Sequence, residues 1–209
     1  AATRLSPLQA FFYGWLSSFL LNYGTFYWIF AVPGATLAHG LLLGLYLGLF
    51  PAMWCALIAL VARDPHSLLL VAPTGWVVLD YLRAHAGALA FSWATPAYWQ
   101  HGNPVMLQIA AFAGEYSVSY VLILVNTAIA IAILLRRRWP LIAAAGVISG
   151  AAMIGAVALS GAESDSARIA GAAKSIRVAV IQPAFSVDEA RNFGIDEKLN
   201  RLKRLTSIA

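Results

Sequence analysis

Through the first 162 residues apolar positions run almost without interruption, and polar breaks divide them into pieces of helical length. The long apolar segments lie near residues 8–31, 35–62, 67–83, 104–135 and 139–161. Crossing the hydrocarbon of a bilayer, about 30 Å thick, takes roughly 20 helical residues at about 1.5 Å each. The pattern therefore predicts about five transmembrane helices. The third segment is the shortest and ends in Asp80 and Arg83. The fourth exceeds the length of a span, so either its first turns lie along the interface or the helix tilts. Turn residues mark the breaks: Pro33-Gly34, Arg63-Asp64-Pro65-His66, the loop 84–103, and Arg136-Arg137-Arg138 before Trp139-Pro140.

Beyond residue 162 the pattern changes. Residues 163–175 are small and polar and are expected to form a linker. Residues 176–182 are β-branched and nearly continuous in apolar character, which predicts a strand buried on both faces of an α/β layer, ended by Pro183. Leu199, Leu202, Leu205 and Ile208 then recur at every third position among Lys, Arg and Asn, the mark of an amphipathic helix. One strand and one helix cannot bury a core alone, since domains below about 40 residues rarely fold unaided. Residues 176–209 are thus expected to open a domain that continues. The fold class is an α-helical integral membrane bundle, residues 1–162, followed by the first strand and helix of an α/β domain.

Charge sharpens this division. Residues 5–62 contain no Asp, Glu, Lys or Arg, and residues 1–162 hold nine charged residues against fourteen in 163–209. A soluble surface needs charges throughout, whereas lipid penalises each by about 2.5–3.5 kcal/mol at a helix centre. With five alternating spans, Arg4, Arg63 and Arg136–Arg138 share one face, while 32–34 and 84–103 carry no Lys or Arg. Short cytoplasmic loops collect Lys and Arg, which places the N-terminus in the cytoplasm and the residues after 162 outside. The first residues lack a basic n-region and a cleavage site, so the first apolar segment is expected to be retained. The net charge of +5 comes from loop clusters and mixed-charge helix faces, not a patch interleaved with aromatics, so nucleic acid is not an expected partner.

Candidate chemistry is sparse. Cys55 is the single cysteine and has no charged neighbour to form a thiolate; packing is its expected role. His39, His66, His85 and His101 are scattered, with no spacing suited to a metal, and no cofactor is expected. Trp15, Tyr23, Tyr27, Trp28, Trp93, Tyr98 and Trp99 fall near proposed membrane ends, as an interfacial belt would. Intramembrane charges are costly and tend to line functional cavities. Asp80 and Arg83, one turn apart, and Glu115 all belong to the outer halves of their segments. Two readings stay open: a structural ion pair with Glu115 satisfied by a hydroxyl or the backbone, or a polar mouth that admits lipid headgroups.

The segment Trp76-Val77-Val78-Leu79-Asp80-Tyr81-Leu82-Arg83, then Phe91-Ser92-Trp93, then Gly114-Glu115-Tyr116-Ser117-Val118-Ser119 with Asn126, resembles the apolipoprotein N-acyltransferase family. That family shows a Trp, an acidic residue and Arg on one helix, a Gly-Phe-Pro-Trp-like loop, and a Gly-x-Tyr-Gly-x-Ser helix followed by Asn. Here Asp80 stands for the usual Glu, Ala90 and Ser92 for the Gly and Pro, and Ser117 for a Gly. Residues 178–182 resemble the first strand of the nitrilase-like carbon–nitrogen hydrolase domain of the same family.

The resemblance implies a multi-pass enzyme of the bacterial cytoplasmic membrane, with residues after 162 periplasmic or extracellular. Its implied partners are the bilayer, a phospholipid acyl donor and a diacylglyceryl-modified apolipoprotein acceptor, whose N-terminal amine takes the acyl chain. It implies catalysis by Glu, Lys and Cys through a thioester, with all three beyond residue 209, so that these residues alone are expected to be an inactive internal fragment. Trp76, Asp80, Arg83, Phe91, Trp93, Glu115 and Tyr116 are the candidate lipid-mouth residues. The alternative is a non-catalytic membrane scaffold or a degenerate relative without the triad. A small transporter would call for an internal repeat, and none is visible.

Overall fold

The computed structural model describes residues 5–32, 34–61, 64–172 and 180–208, and every regular element among them is helical. Helix α1 (Pro7–Thr25) starts at a capping box: the Ser6 hydroxyl accepts from the Gln9 amide while the Gln9 side chain accepts from the Ser6 amide. Two N–H groups that a helix start leaves unpaired are thereby satisfied. A 3-10 turn, Tyr27–Ala31, leads to α2 (Leu37–Val61). Helix α3 (Pro65–Ala84) is capped by Asp64, whose carboxylate accepts from the His66 and Ser67 amides. The next loop contains 3-10 turns at Gly87–Leu89 and Pro96–Gln100. It is followed by α4 (Pro104–Leu107), α5 (Ala110–Leu134), α6 (Trp139–Ala172), α7 (Val187–Asn192) and α8 (Ile195–Ile208).

Among the described residues, three stretches are long and apolar enough to cross a membrane: Leu37–Val61, Ala110–Leu134 and Trp139–Ser164. Five were expected. Helices α1 and α3 have nearly the length but not the apolarity, because α1 carries Gln9, Ser17, Ser18 and Asn22 and α3 carries His66, Thr74, Asp80 and Arg83. The expected first span, 8–31, stops being α-helical at Thr25. Residues 163–172 are helical, as the end of α6, where a linker was expected. Of the expected strand, residues 176–179 lie outside the described residues, and 180–182 form no regular structure. The expected amphipathic helix is α8.

The chain divides into two compact units, residues 1–165 and 166–209. In the first, α1 packs along α2 through a stripe of small residues one turn apart: Gly40, Gly44, Gly48 and Ala52. A Cβ on Gly48 would lie 3.2 Å from Trp15 Cδ1 and 3.3 Å from the Phe19 backbone nitrogen. In lipid the hydrophobic effect does not drive helix to helix, so close approach through small residues supplies the attraction. Two indoles tie the helices further: Trp15 Nε1 donates to Leu45 O at 3.0 Å, and Trp54 Nε1 donates from α2 to Ala72 O of α3 at 2.7 Å. A second packing centre joins α3, α5 and α6 through Leu69, Leu124, Ala128, Ile131 and Ala144.

The fourth expected span, 104–135, is broken. Leu107 ends α4, and within α5 the helix is interrupted at Ala113 (φ −142°, ψ 28°) and Gly114 (φ 64°, ψ −164°). The positive φ with extended ψ at Gly114 is a conformation that a Cβ makes costly, so glycine is required there. The Ser117 hydroxyl holds the break, 2.7 Å from Gly114 O and 3.0 Å from Ile109 O.

In the second unit, Ser186 and Glu189 form a capping box for α7, and Arg201 of α8 donates to Glu189 Oε1 at 2.9 Å. The guanidinium of Arg201 also lies 5.0 Å from the Phe185 ring centroid.

Candidate functional site

The last turn of α3 presents Asp80 and Arg83 three residues apart, so their side chains meet on one helix face. Arg83 Nη2 donates to Asp80 Oδ1, and the two side chains are only 8% and 5% exposed. Burial of both charges makes this pair unlike a surface bridge: each charge depends on the other. Asp80 Oδ2 is buried without a hydrogen-bond partner, as is the Trp76 indole nitrogen one turn earlier.

From this pair the chain is built outward. The carbonyl of Arg83 accepts from the Phe91 amide at 3.0 Å, which folds the loop back over the end of α3. Phe91 packs edge-on against Phe26 with ring centroids 5.1 Å apart, and Trp93 lies 5.3 Å from Trp28. Ala94, at φ 59°, then turns the chain inward so that Thr95 is buried. Its hydroxyl donates to Glu115 Oε2 at 3.4 Å, and the Ala97 amide donates to Ser119 Oγ at 3.2 Å. Glu115 is the first residue after the break in α5, half-buried and aimed at this loop. Burial first, and then the charge of the neighbouring Glu115 carboxylate, push the Tyr98 phenol above its ordinary range.

The structure thus brings together Asp80, Arg83, Phe91 and Glu115 and sets Trp93 on the adjoining aromatic cluster. Trp76 faces elsewhere: its ring packs on Trp54 of α2, centroids 5.1 Å apart. Tyr116 lies 5.8 Å from Tyr81 and lines an apolar groove of about 600 Å³ with Val77, Phe112, Val121, Val147 and Ile154. Thr95 escaped the sequence reading, Ser119 entered it only within the motif that carries the family resemblance, and Tyr98 was expected only as a belt residue. Local pattern could not place them, because Thr95 reaches Glu115 across 20 positions and Ala97 reaches Ser119 across 22. The Pro96 that follows Thr95 was the one signal of an ordered turn.

A helical membrane protein with a polar cluster at one end of its α3–α5 contact is the class these features define. Residues 1–128 match the family described as the apolipoprotein N-acyltransferase N-terminal domain, and the chain belongs to that family. Two curated relatives carry the name apolipoprotein N-acyltransferase. The protein of Geobacter metallireducens is 32% identical over 134 residues, covering 60% of this chain and 26% of its own length. That of Rhodopirellula baltica is 29% identical over 133 residues, covering 54% of this chain and 22% of its own length. The chain therefore spans about a quarter of the length of the curated relatives it matches.

Proposed function

We propose that these residues form the membrane part of an enzyme that transfers an acyl chain from a phospholipid to the N-terminal amine of a diacylglyceryl-modified cysteine on a lipoprotein. The family membership supports the reaction class. The observation that carries the role of this segment is the polar cluster of Asp80, Arg83 and Glu115 next to an apolar groove. Together they suit a molecule with a polar head and an acyl tail. In this reading α1 and α3 cross the bilayer with the three more apolar helices, making five spans. The N-terminus faces the cytoplasm of a bacterial inner membrane, and the residues after 162 begin a nitrilase-like domain outside.

The acyl-transfer chemistry is assigned to a Glu, Lys and Cys beyond residue 209. The Glu would act as base, the Lys would stabilise the oxyanion, and the Cys would carry the acyl chain as a thioester. The side chains of Asp80, Arg83, Phe91, Trp93, Glu115 and Tyr116 would order the mouth through which lipid reaches them, with Trp76 packed behind it on Trp54. The test is to incubate the full-length protein with a phospholipid bearing a tagged acyl chain. A covalent, hydroxylamine-sensitive label is expected; absence of label, with lipid still bound, points to a non-catalytic scaffold and overturns the reading.

A further inference from the structure

We propose that Glu115 is the binding point for an ammonium group entering the outer end of the α3–α5 contact. This deepens the reading of the cluster as a lipid mouth and rests on it, but it does not rest on acyl transfer. The charge count carries the argument. Asp80 is neutralised by Arg83 in the buried pair, whereas Glu115 forms no ion pair among the described residues. The hydroxyl of Thr95, 3.4 Å away, orients the carboxylate without cancelling its charge. A membrane protein that keeps an uncompensated carboxylate in a half-buried place sustains a standing cost, and such groups mark ligand or ion sites.

A second observation points the same way. Asp80, 6% exposed, has its Oδ2 buried with no partner, so the cluster holds more acceptor capacity than it uses. Close by, Tyr98 and Tyr116 feel the Glu115 charge, and Tyr98 and Trp93 are about half exposed at 48% and 52%. Carboxylate plus open aromatic faces is the combination that holds an ammonium cation. The opposite assignment, a phosphate, fails on the same geometry. Among the described residues the cation of this cluster is Arg83, which is already engaged with Asp80, and Glu115 would repel an anion.

The ammonium could come from a lipid headgroup or from the free N-terminus of a lipidated peptide. Native mass spectrometry of the full chain released from nanodiscs separates the two. One arm offers equal amounts of phosphatidylethanolamine and its N-acetyl derivative. The other offers a diacylglyceryl-cysteine peptide with a free or an acetylated amine. Retention of the free amine about five- to tenfold over its acetylated form is expected in one arm, which identifies the source. Glu115→Gln, which keeps the size and the hydrogen bond to Thr95, is expected to abolish that preference. Equal retention of free and acetylated forms by the wild-type chain in both arms overturns the ammonium site, even if the variant fails to fold. Retention of no lipid in either form overturns the lipid mouth as well.

Discussion

Between α1 and α2, contact is made by the absence of side chains; where the C-terminal end of α3 meets the N-terminal part of α5 it is made by charge and hydroxyl groups. The first region brings glycines against aromatic rings and backbone, with one indole N–H as its only cross-helix polar bond among the described residues. The second commits buried charge to an ion pair, leaves the buried Asp80 Oδ2 without a partner among the described residues, and holds a non-glycine residue, Ala94, at positive φ. Packing of the first kind is a sufficient way to join helices in lipid. Polar joining in the second region is therefore not a requirement of assembly, and its cost accords with the ligand site proposed for it.

The sharpest way to break this comparison is at Arg83. Arg83→Met leaves Asp80 buried and uncompensated, and a loss of about 3–5 kcal/mol is expected, seen as a lowered thermal midpoint in detergent. Replacing both partners, Asp80→Asn with Arg83→Met, should recover much of it, since two neutral groups leave no orphan charge. If the single and double variants both melt with the wild type, the pair is not buried as described.

In the glycine region, Gly48→Leu drives a side chain into Trp15 and the Phe19 backbone and should cost about 1–3 kcal/mol, while leaving lipid retention per folded molecule unchanged. Altered lipid preference in that variant would show that the two regions are not separate in function. Trp54→Phe, which removes the donor to Ala72 O, should cost about 1 kcal/mol in the same melting assay.

The smallest effect is a pH dependence at the start of α3. Hydrogen bonds from the Ser67 hydroxyl and amide hold the Asp64 carboxyl below its ordinary value of 3.8. Because the folded value is the lower one, the cap is fully stabilising above 3.8 and weakens as pH falls through the folded value. Asp64→Asn should flatten the acid limb of a melting-temperature profile; an unchanged limb would remove this cap from the account.

The helical segments and the Asp80–Arg83 pairing could be read from the sequence, because both depend on spacing within one helix. Helix α8 was legible for the same reason. The break in α5 was not, since a glycine inside an apolar run looks like a packing residue until its backbone angles are known. The helical ending of α6 was missed because scattered charges, serines and Gly171 in 163–172 suggested a linker, although the alanines there favour helix. Length alone suggested that α1 and α3 match the other spans; their polar residues set them apart. Of the candidate site, Asp80, Arg83 and Glu115 stood out as charges inside apolar segments, but Thr95 reaches Glu115 only through loop folding that no local pattern encodes.

The interruption at Gly114 also makes α5 a ruler. From Glu115 to Leu134 the helix is uninterrupted, about twenty residues or ~30 Å, the thickness of the hydrocarbon layer. Arg136, Arg137 and Arg138 follow at one end of that length and the Glu115 carboxylate stands at the other. On the five-span reading proposed above, the break trims a long apolar segment to the membrane and puts the Glu115 carboxylate at the graduation where oil gives way to water.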